Sequence, residues 1–225
     1  MFKQYNIKLF AFTLAEVLIT MGIIGIIAEM TIPTLMQNAE ITSDRAAFKK
    51  AYSVFDQATR QIVNDYGGNI SSVITTYDES LMYLYTPYFA IQKICPESSA
   101  NGVCWHNDGD WKRLDNTDFS RADDGVENGL KSYDPAGFIL NDGMLVRVYS
   151  HRACSIYLPD DCGYFFIDVN GFKPPNRVGR DIFGIHVKTN RIVAFGARDS
   201  GYADDCNTSD NGMSCAGQVL MNINY

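Results

Sequence analysis

The chain has 225 residues, of which 46% are hydrophobic and 20% charged, and it contains 13 Tyr and 13 Phe. This composition excludes a disordered chain and fits one globular domain with an appendage. The formal net charge of −7 disfavours passive binding to nucleic acid or to an anionic membrane, although it leaves room for a small basic patch.

The first predicted element is an apolar segment close to the amino terminus. Residues 9–28 contain a single charge, at Glu16, and the apolar character continues to Met36. About 20 such residues are enough for one membrane span. Two basic residues, Lys3 and Lys8, precede the segment. They predict a cytoplasmic amino terminus, with most of the chain on the other side of the membrane.

The acid in this segment is unusual, because a carboxylate in lipid is expensive to bury and needs a partner. Glu16 lies four residues after Phe12, behind a short basic leader of sequence MFKQYNIKLFA that ends at Ala11. This arrangement resembles the prepilin segment of type IV pilins and type II secretion pseudopilins. The resemblance implies cleavage between Ala11 and Phe12 by a prepilin peptidase, followed by methylation of the new amine. In a filament, that amine would pair with Glu16 of a neighbouring subunit, so that two buried charges neutralise each other.

Three further positions bear on the resemblance. Pro33 is the 22nd residue counted from Phe12, where pilin helices commonly bend. Because proline removes a helical hydrogen bond and clashes with the preceding turn, we predict a kink or local melting there. Ala11 departs from the family, which usually has glycine before the cleavage site. A second acid, Glu29, is given no role by the resemblance.

Two other interpretations of the apolar segment stay open. An ordinary secretory signal peptide would be cleaved after Ala28, but it leaves Glu16 unexplained and places the unsuitable Ile26 close to the cut. An uncleaved membrane anchor gives no role to the spacing between Phe12 and Glu16.

The helical pattern continues beyond the proline. Apolar and aromatic residues recur at steps of three and four, at Phe48, Tyr52, Phe55, Thr59, Ile62 and Tyr66. Gly67-Gly68 predicts the end of the helix. We therefore predict one helix over 12–66, whose second half packs against a head domain. The predicted organisation is a leader (1–11), a transmembrane and assembly segment (12–36), an amphipathic helical half (37–68) and a globular head (69–225).

The predicted fold class is α+β, with a small antiparallel sheet in the head packed on the long helix. Thr86-Pro87 predicts the start of a short helix that runs to Ile94. Residues 105–134 are predicted to form a loop. Strands are predicted at 138–140, 144–149, 164–169, 182–187, 191–195 and 218–224, with hairpin turns at 141–143 and 188–190.

Six cysteines form three closely spaced pairs, at Cys95 and Cys104, Cys154 and Cys162, and Cys206 and Cys215. Each pair brackets a turn-rich stretch, which predicts three local disulfides formed in an oxidising compartment. Reduced, buried thiols are the alternative. A zinc site is disfavoured, because no pair has the short spacing that zinc sites use.

The head carries a second, less specific resemblance. Residues 168–187 read DVNGFKPPNRVGRDIFGIHV and are similar to a pattern in many cysteine-containing pilin-like proteins. Asp168, Asn170 and Asp181 surround a turn and could bind calcium, but a network of side-chain hydrogen bonds to the local backbone accounts for the same residues.

A second acidic loop lies near the carboxyl terminus, with Asp199, Asp204, Asp205 and Asp210. Major pseudopilins can bind calcium near their C-terminal loops, so the resemblance makes this loop a second calcium candidate. A solvated acidic turn is the alternative interpretation.

No pattern predicts catalysis. The histidines, at 106, 151 and 186, lack partners at the spacing of a metal or nucleophile site, and Cys154 near His151 is the nearest approach to a thiol nucleophile. We expect no enzyme activity and no cofactor other than calcium.

The resemblance implies a structural subunit of a type IV pilus-like or type II secretion pseudopilus filament. Its partners would be other pilin subunits, the inner membrane, the prepilin peptidase and the filament assembly platform, with the head periplasmic or extracellular. The alternative is a membrane-tethered binding module, adhesin-like or a minor pilin, that recognises a surface ligand or DNA.

Overall fold

The computed structural model of the chain describes residues 12–74, 79–107, 109–118, 136–151, 154, 160–200 and 205–223. The predicted leader, including Ala11, lies outside the described residues, as does Asp204. The chain divides into two compact units, Met1–Thr42 and Ser43–Tyr225.

The long predicted helix is confirmed as α1, which begins at Leu14 and ends at Asp65. The helix continues through Pro33 without interruption, so the local melting considered above is not found. Two hydroxyls near the proline bond to carbonyls of the helix itself, Thr31 Oγ1 to Ile27 O at 2.9 Å and Thr34 Oγ1 to Thr31 O at 2.8 Å. These bonds satisfy polar groups that an apolar environment would otherwise leave unpaired.

The amino-terminal unit exposes large apolar side chains from Phe12 to Met36. They are Phe12, Leu14, Val17, Leu18, Ile19, Met21, Ile23, Ile24, Ile26, Ile27, Met30, Ile32, Leu35 and Met36. By length and composition this part of α1 can cross a membrane, a property that a signal sequence shares.

In the second unit, α1 supplies one wall of the hydrophobic core. Phe48, Phe55, Thr59 and Ile62 are fully or almost fully buried, which confirms the predicted stripe at these positions. Tyr52 is half-buried, and the stripe ends before Tyr66, whose side chain is exposed.

The head contains one antiparallel sheet of six strands, and each strand pairs with the next along the chain. The strands are β1 (Ile91–Cys95), β2 (Ala136–Leu140), β3 (Leu145–Ser150), β4 (Asp161–Asp168), β5 (Ile182–Lys188) and β6 (Ile192–Ala194). Two short helices accompany the sheet, α2 (Glu79–Tyr85) and α3 (Cys215–Leu220). The α+β class is thus confirmed, as are the predicted β2–β3 and β5–β6 hairpins.

Two predictions in the head are wrong. Residues 86–94 do not form a helix: the Thr86-Pro87 start gives only a 3-10 turn, Thr86–Tyr88, and β1 follows. The chain enters the sheet because β2 offers it a pairing partner, from Ile91 opposite Leu140 to Cys95 opposite Gly137.

The predicted strand at 218–224 is also wrong, because this segment begins inside α3. Gly217 fits closely against the turn after β6: its N–H donates to Phe195 O at 2.7 Å, and a Cβ there would lie 2.6 Å from Ala197 N. A helical turn of small residues allows this approach.

The two faces of the sheet are both covered. On one face, Phe48 of α1 stacks on Phe183 of β5 with ring centroids 4.5 Å apart, and Phe55 packs on Phe165 of β4 at 5.1 Å. On the other face, Phe195 packs against Phe166 of β4 at 5.3 Å. Burial on both sides explains why every residue of β4 and β5 is buried.

All six cysteines are paired as predicted. The disulfides join Cys95 to Cys104, Cys154 to Cys162, and Cys206 to Cys215. Each disulfide closes a short loop next to a strand or α3. The three bridges therefore constrain local loops and do not join distant parts of the chain.

Candidate functional site

The start of α1 places Glu16 in a capping box. Thr13 O accepts the first helical hydrogen bond, from Val17 N at 3.2 Å. Both Thr13 N and Thr13 Oγ1 donate to Glu16 Oε2 at 2.9 Å, and Glu16 N donates to Thr13 Oγ1 at 3.3 Å. These reciprocal bonds satisfy backbone groups that the first turn leaves unpaired.

The carboxylate of Glu16 therefore has a partner in its own chain, which the sequence analysis missed. The Thr-x-x-Glu spacing at the start of an apolar helix is a signature that could have revealed it. Within the described residues, the second carboxylate oxygen, Oε1, accepts no hydrogen bond. Phe12 stands immediately before the capping box and is 83% exposed.

The amino-terminal unit is acidic as well as apolar. Residues 12–42 contain three acids, Glu16, Glu29 and Glu40, and no Lys or Arg. Glu29 is exposed, and among the described residues its side chain has no hydrogen bond or ion pair. Any cation that neutralises these acids must come from outside this part of the chain.

The first calcium candidate is a network of internal hydrogen bonds. Asp181 Oδ1 accepts from Arg177 N at 2.6 Å, and its Oδ2 accepts from Asn176 N at 2.8 Å and Asn170 Nδ2 at 3.2 Å. Asp168 Oδ1 accepts from Asn170 N at 3.1 Å. The structure thus brings the three predicted residues together, in the arrangement expected of a turn folded by its own side chains.

The acids of the second calcium candidate bond to separate partners. Asp205 and Ser214 exchange two hydrogen bonds, Asp205 N to Ser214 Oγ at 2.9 Å and Ser214 N to Asp205 Oδ1 at 2.7 Å. Asp210 accepts from Asn207 Nδ2, and Asp199 lies 3.7 Å from Arg191 Nη2. In the described part of the chain, no three His, Cys, Asp or Glu side chains are grouped so that they could hold a metal ion.

A buried acid–histidine pair joins the loop after Cys104 to the end of β4. His106 Nε2 lies 2.7 Å from Asp168 Oδ2, and both side chains are almost completely buried. Burial raises the pKa of Asp168 to about 7, although its hydrogen bond with His106 acts in the opposite direction. The two residues are 62 positions apart, and no pattern in the sequence indicated their contact.

A second buried cluster lies where β4 begins and β5 ends. His186 Nδ1 is 3.1 Å from Asp161 Oδ2, and Lys188 Nζ is 3.6 Å from the same oxygen. Burial works to raise the pKa of Asp161, but the adjacent His186 and the charge of Lys188 outweigh it and hold that pKa below its usual range.

The residues considered for a thiol nucleophile do not present one. Cys154 is joined to Cys162, so it offers no free thiol in this structure. Burial lowers the pKa of the neighbouring His151, and its ring packs against Tyr149 and Tyr164.

The head also carries an apolar groove, which we call the Val54 groove. It lies between α1, the 3-10 turn and the β2–β3 turn, and it has a volume of about 220 Å³. Its lining consists of Val54, Tyr88, Phe89, Ala90, Leu140, Asn141 and Asp142. At its rim, Lys50 Nζ lies 3.1 Å from Asp142 Oδ2.

Comparisons of this chain with protein-family models, with curated proteins and with solved structures found no match.

Proposed function

We propose that the chain is a structural subunit of a pilin-like filament, of the type IV pilus or type II secretion pseudopilus kind. In this proposal it is inserted once in the inner membrane, cleaved between Ala11 and Phe12, and assembled through the apolar part of α1. The observation that carries the proposal is the exposed apolar helix of the amino-terminal unit, which begins with the Thr13–Glu16 capping box.

The apolar helix requires a non-aqueous environment. A helix that is hydrophobic on all sides is stable when lipid or other protein surrounds it, and not when water does. For a single subunit, lipid surrounds the apolar helix. In a filament, the equivalent helices of neighbouring copies surround it instead. The same fourteen side chains therefore support both the membrane-inserted and the assembled state.

The geometry of Glu16 suits a contact between subunits. Thr13 occupies Oε2, which leaves Oε1 to accept a hydrogen bond from outside the chain. Cleavage after Ala11 would create a cationic amine on Phe12, one residue before the capping box, without removing any atom of the box. The amine of one copy and the carboxylate of the next can then neutralise each other in the apolar core of the filament.

The remaining features fit a subunit whose head leaves the cytoplasm. Three disulfides require an oxidising compartment, in agreement with a periplasmic or extracellular head. Head-to-tail contacts of this kind do not close on themselves, so they extend as a helical filament. The partners would be other pilin subunits, the prepilin peptidase and the assembly platform.

Mass spectrometry of the amino-terminal peptide, taken from cells that make the protein, tests the proposal. The expected species begins with N-methylphenylalanine at Phe12. Protein that begins at Glu29 would instead identify a signal peptide, and protein that always retains Met1 would identify an uncleaved anchor.

Cross-linking in membranes separates the proposal from the membrane-tethered binding module. A filament subunit gives a ladder of oligomers, whereas a tether stays monomeric. Glu16→Ala should reduce the ladder strongly, and Glu40→Ala, which removes an acid from the same unit, provides the matched control.

A further inference from the structure

We propose that the Val54 groove of one copy receives the apolar helix of a second copy, and that Lys50 at its rim pairs with Glu29 of that second copy. This inference rests on the proposed function and gives the assembly helix a specific docking surface on the head.

The groove combines an apolar lining with a charged rim. Val54 is 39% exposed, whereas the next residue of α1, Phe55, is fully buried in the core. Phe89 and Tyr88 add aromatic surface, and both are partly buried against the same core. The groove thus offers an apolar recess with a charged side chain, Lys50, at its rim.

The occupant is indicated by Glu29. It is the only charged residue between Val17 and Ala39, and its side chain has no partner among the described residues. An acid in an apolar segment must find a cation when the segment is covered, because an unpaired charge there is costly. The amino-terminal unit contains no Lys or Arg within 12–42, so the cation must belong elsewhere.

Lys50 is the cation that the groove offers. Its side chain is 66% exposed, and its present partner, Asp142, is itself part of the lining. Two other cations of the same helix are directed to other partners: Lys49 donates to Asn222, and Arg60 bonds to Asp56. The ammonium of Lys50 has three donors, so it can bridge Asp142 and an arriving Glu29.

The aliphatic side chains next to Glu29 on its helix face are of a size that the groove can hold. Ile26 and Ile32 lie three positions before and after Glu29, on the same face of the helix, and both are more than half exposed. A volume of about 220 Å³ accommodates one or two aliphatic side chains of this size. Gly25 adjoins them on this face, and a Cβ there would meet no atom of the described residues within 4 Å. Small residues allow close approach between helices and a neighbouring surface.

Charge reversal in the full-length, membrane-inserted protein tests the pairing. Glu29→Lys and Lys50→Glu should each reduce the cross-linked ladder by about tenfold or more, because each brings like charges together in a covered site. The double variant restores opposite charges and should recover most of the ladder. Glu40→Lys and Arg60→Glu, which reverse exposed charges elsewhere on α1, are the matched controls and should leave the ladder near its original level.

A second measurement identifies the occupant directly. A photoreactive phenylalanine analogue replaces Val54, and the cross-linked peptide is identified by mass spectrometry. The expected partner is the peptide of a second copy that contains Glu29. Cross-links to a different protein or to lipid alone would overturn the proposed occupant.

The outcomes separate this inference from the proposed function. If both single reversals leave the ladder intact while Glu16→Ala abolishes it, the groove pairing is wrong and the filament proposal stands. If the unaltered protein is monomeric and lacks N-methylation at Phe12, both proposals are overturned.

Discussion

His106 Nε2 lies 2.7 Å from Asp168 Oδ2, and this buried contact ties the loop after the Cys95–Cys104 disulfide to the end of β4. Both residues belong to the head. This pair makes the stability of the head depend on pH. Asp168 has a raised pKa, so in the folded chain it keeps a proton at pH values where the unfolded chain would release it.

The contribution of Asp168 to the free energy of unfolding should fall as the pH rises from about 4 to above 7. Asp168 has a pKa of about 7 in the folded chain, against an ordinary value of 3.8, so the folded state binds more protons across this window. Stability from this group therefore decreases as the pH rises. For one proton, the slope of the free energy of unfolding against pH is at most about 1.4 kcal/mol per pH unit. Urea unfolding of the full chain in detergent, at pH 5, 6, 7 and 8, measures this slope.

Asp168→Asn should flatten that dependence, because asparagine cannot titrate but can still accept a hydrogen bond from His106. Asp118→Asn removes an exposed acid and should keep the slope of the original protein. An unchanged slope in Asp168→Asn would show that the titrating group is a different one.

Thr13→Ala should weaken the start of α1, because it removes the hydroxyl that holds Glu16. Loss of an N-cap of this kind costs about 1 kcal/mol, which corresponds to about fivefold in an equilibrium. Thr13→Ser keeps the hydroxyl and serves as the control. Faster amide hydrogen exchange at Glu16 and Val17, whose N–H groups bond to Thr13, and a smaller cross-linked ladder are expected in Thr13→Ala but not in Thr13→Ser.

Phe55→Ala should lower the free energy of unfolding of the head by about 3–5 kcal/mol, because it empties a fully buried site. The Phe55 ring packs against Phe89 at 4.6 Å and Phe165 at 5.1 Å. Val54→Ala, the neighbouring exposed position, should cost less than about 0.5 kcal/mol in the same unfolding measurement. Similar losses for the two variants would mean that α1 does not form this wall of the core.

Gly184→Ala should destabilise the head by about 1–3 kcal/mol through overpacking. A Cβ on Gly184 would lie 2.3 Å from the Phe195 ring, which crosses the strand at this position. The double variant Gly184→Ala, Phe195→Leu has a smaller side chain at position 195, so it should recover part of the lost stability. Thermal unfolding measures this recovery. If Gly184→Ala is as stable as the original protein, the ring must be free to move away.

Local patterns in the sequence determined several elements correctly. The apolar periodicity of α1 predicted a helix from Phe12 to Tyr66, within two residues of its observed start and one of its end. Turn residues at 141–143 predicted the β2–β3 hairpin, and close spacing predicted the three disulfides. These features succeed because the interactions that specify them join residues that are near one another in sequence.

Tertiary structure alone decided the remainder. Ile91–Cys95 became a strand because β2 pairs with it, although Thr86-Pro87 indicated a helix. Gln218 belongs to α3 and not to a strand. The helical turn allows the preceding Gly217 to pack closely against the turn after β6. The His106–Asp168 and His186–Asp161 contacts join residues 62 and 25 positions apart. Their burial and the resulting pKa shift of each acid arise only when the sheet and its covering segments have been assembled.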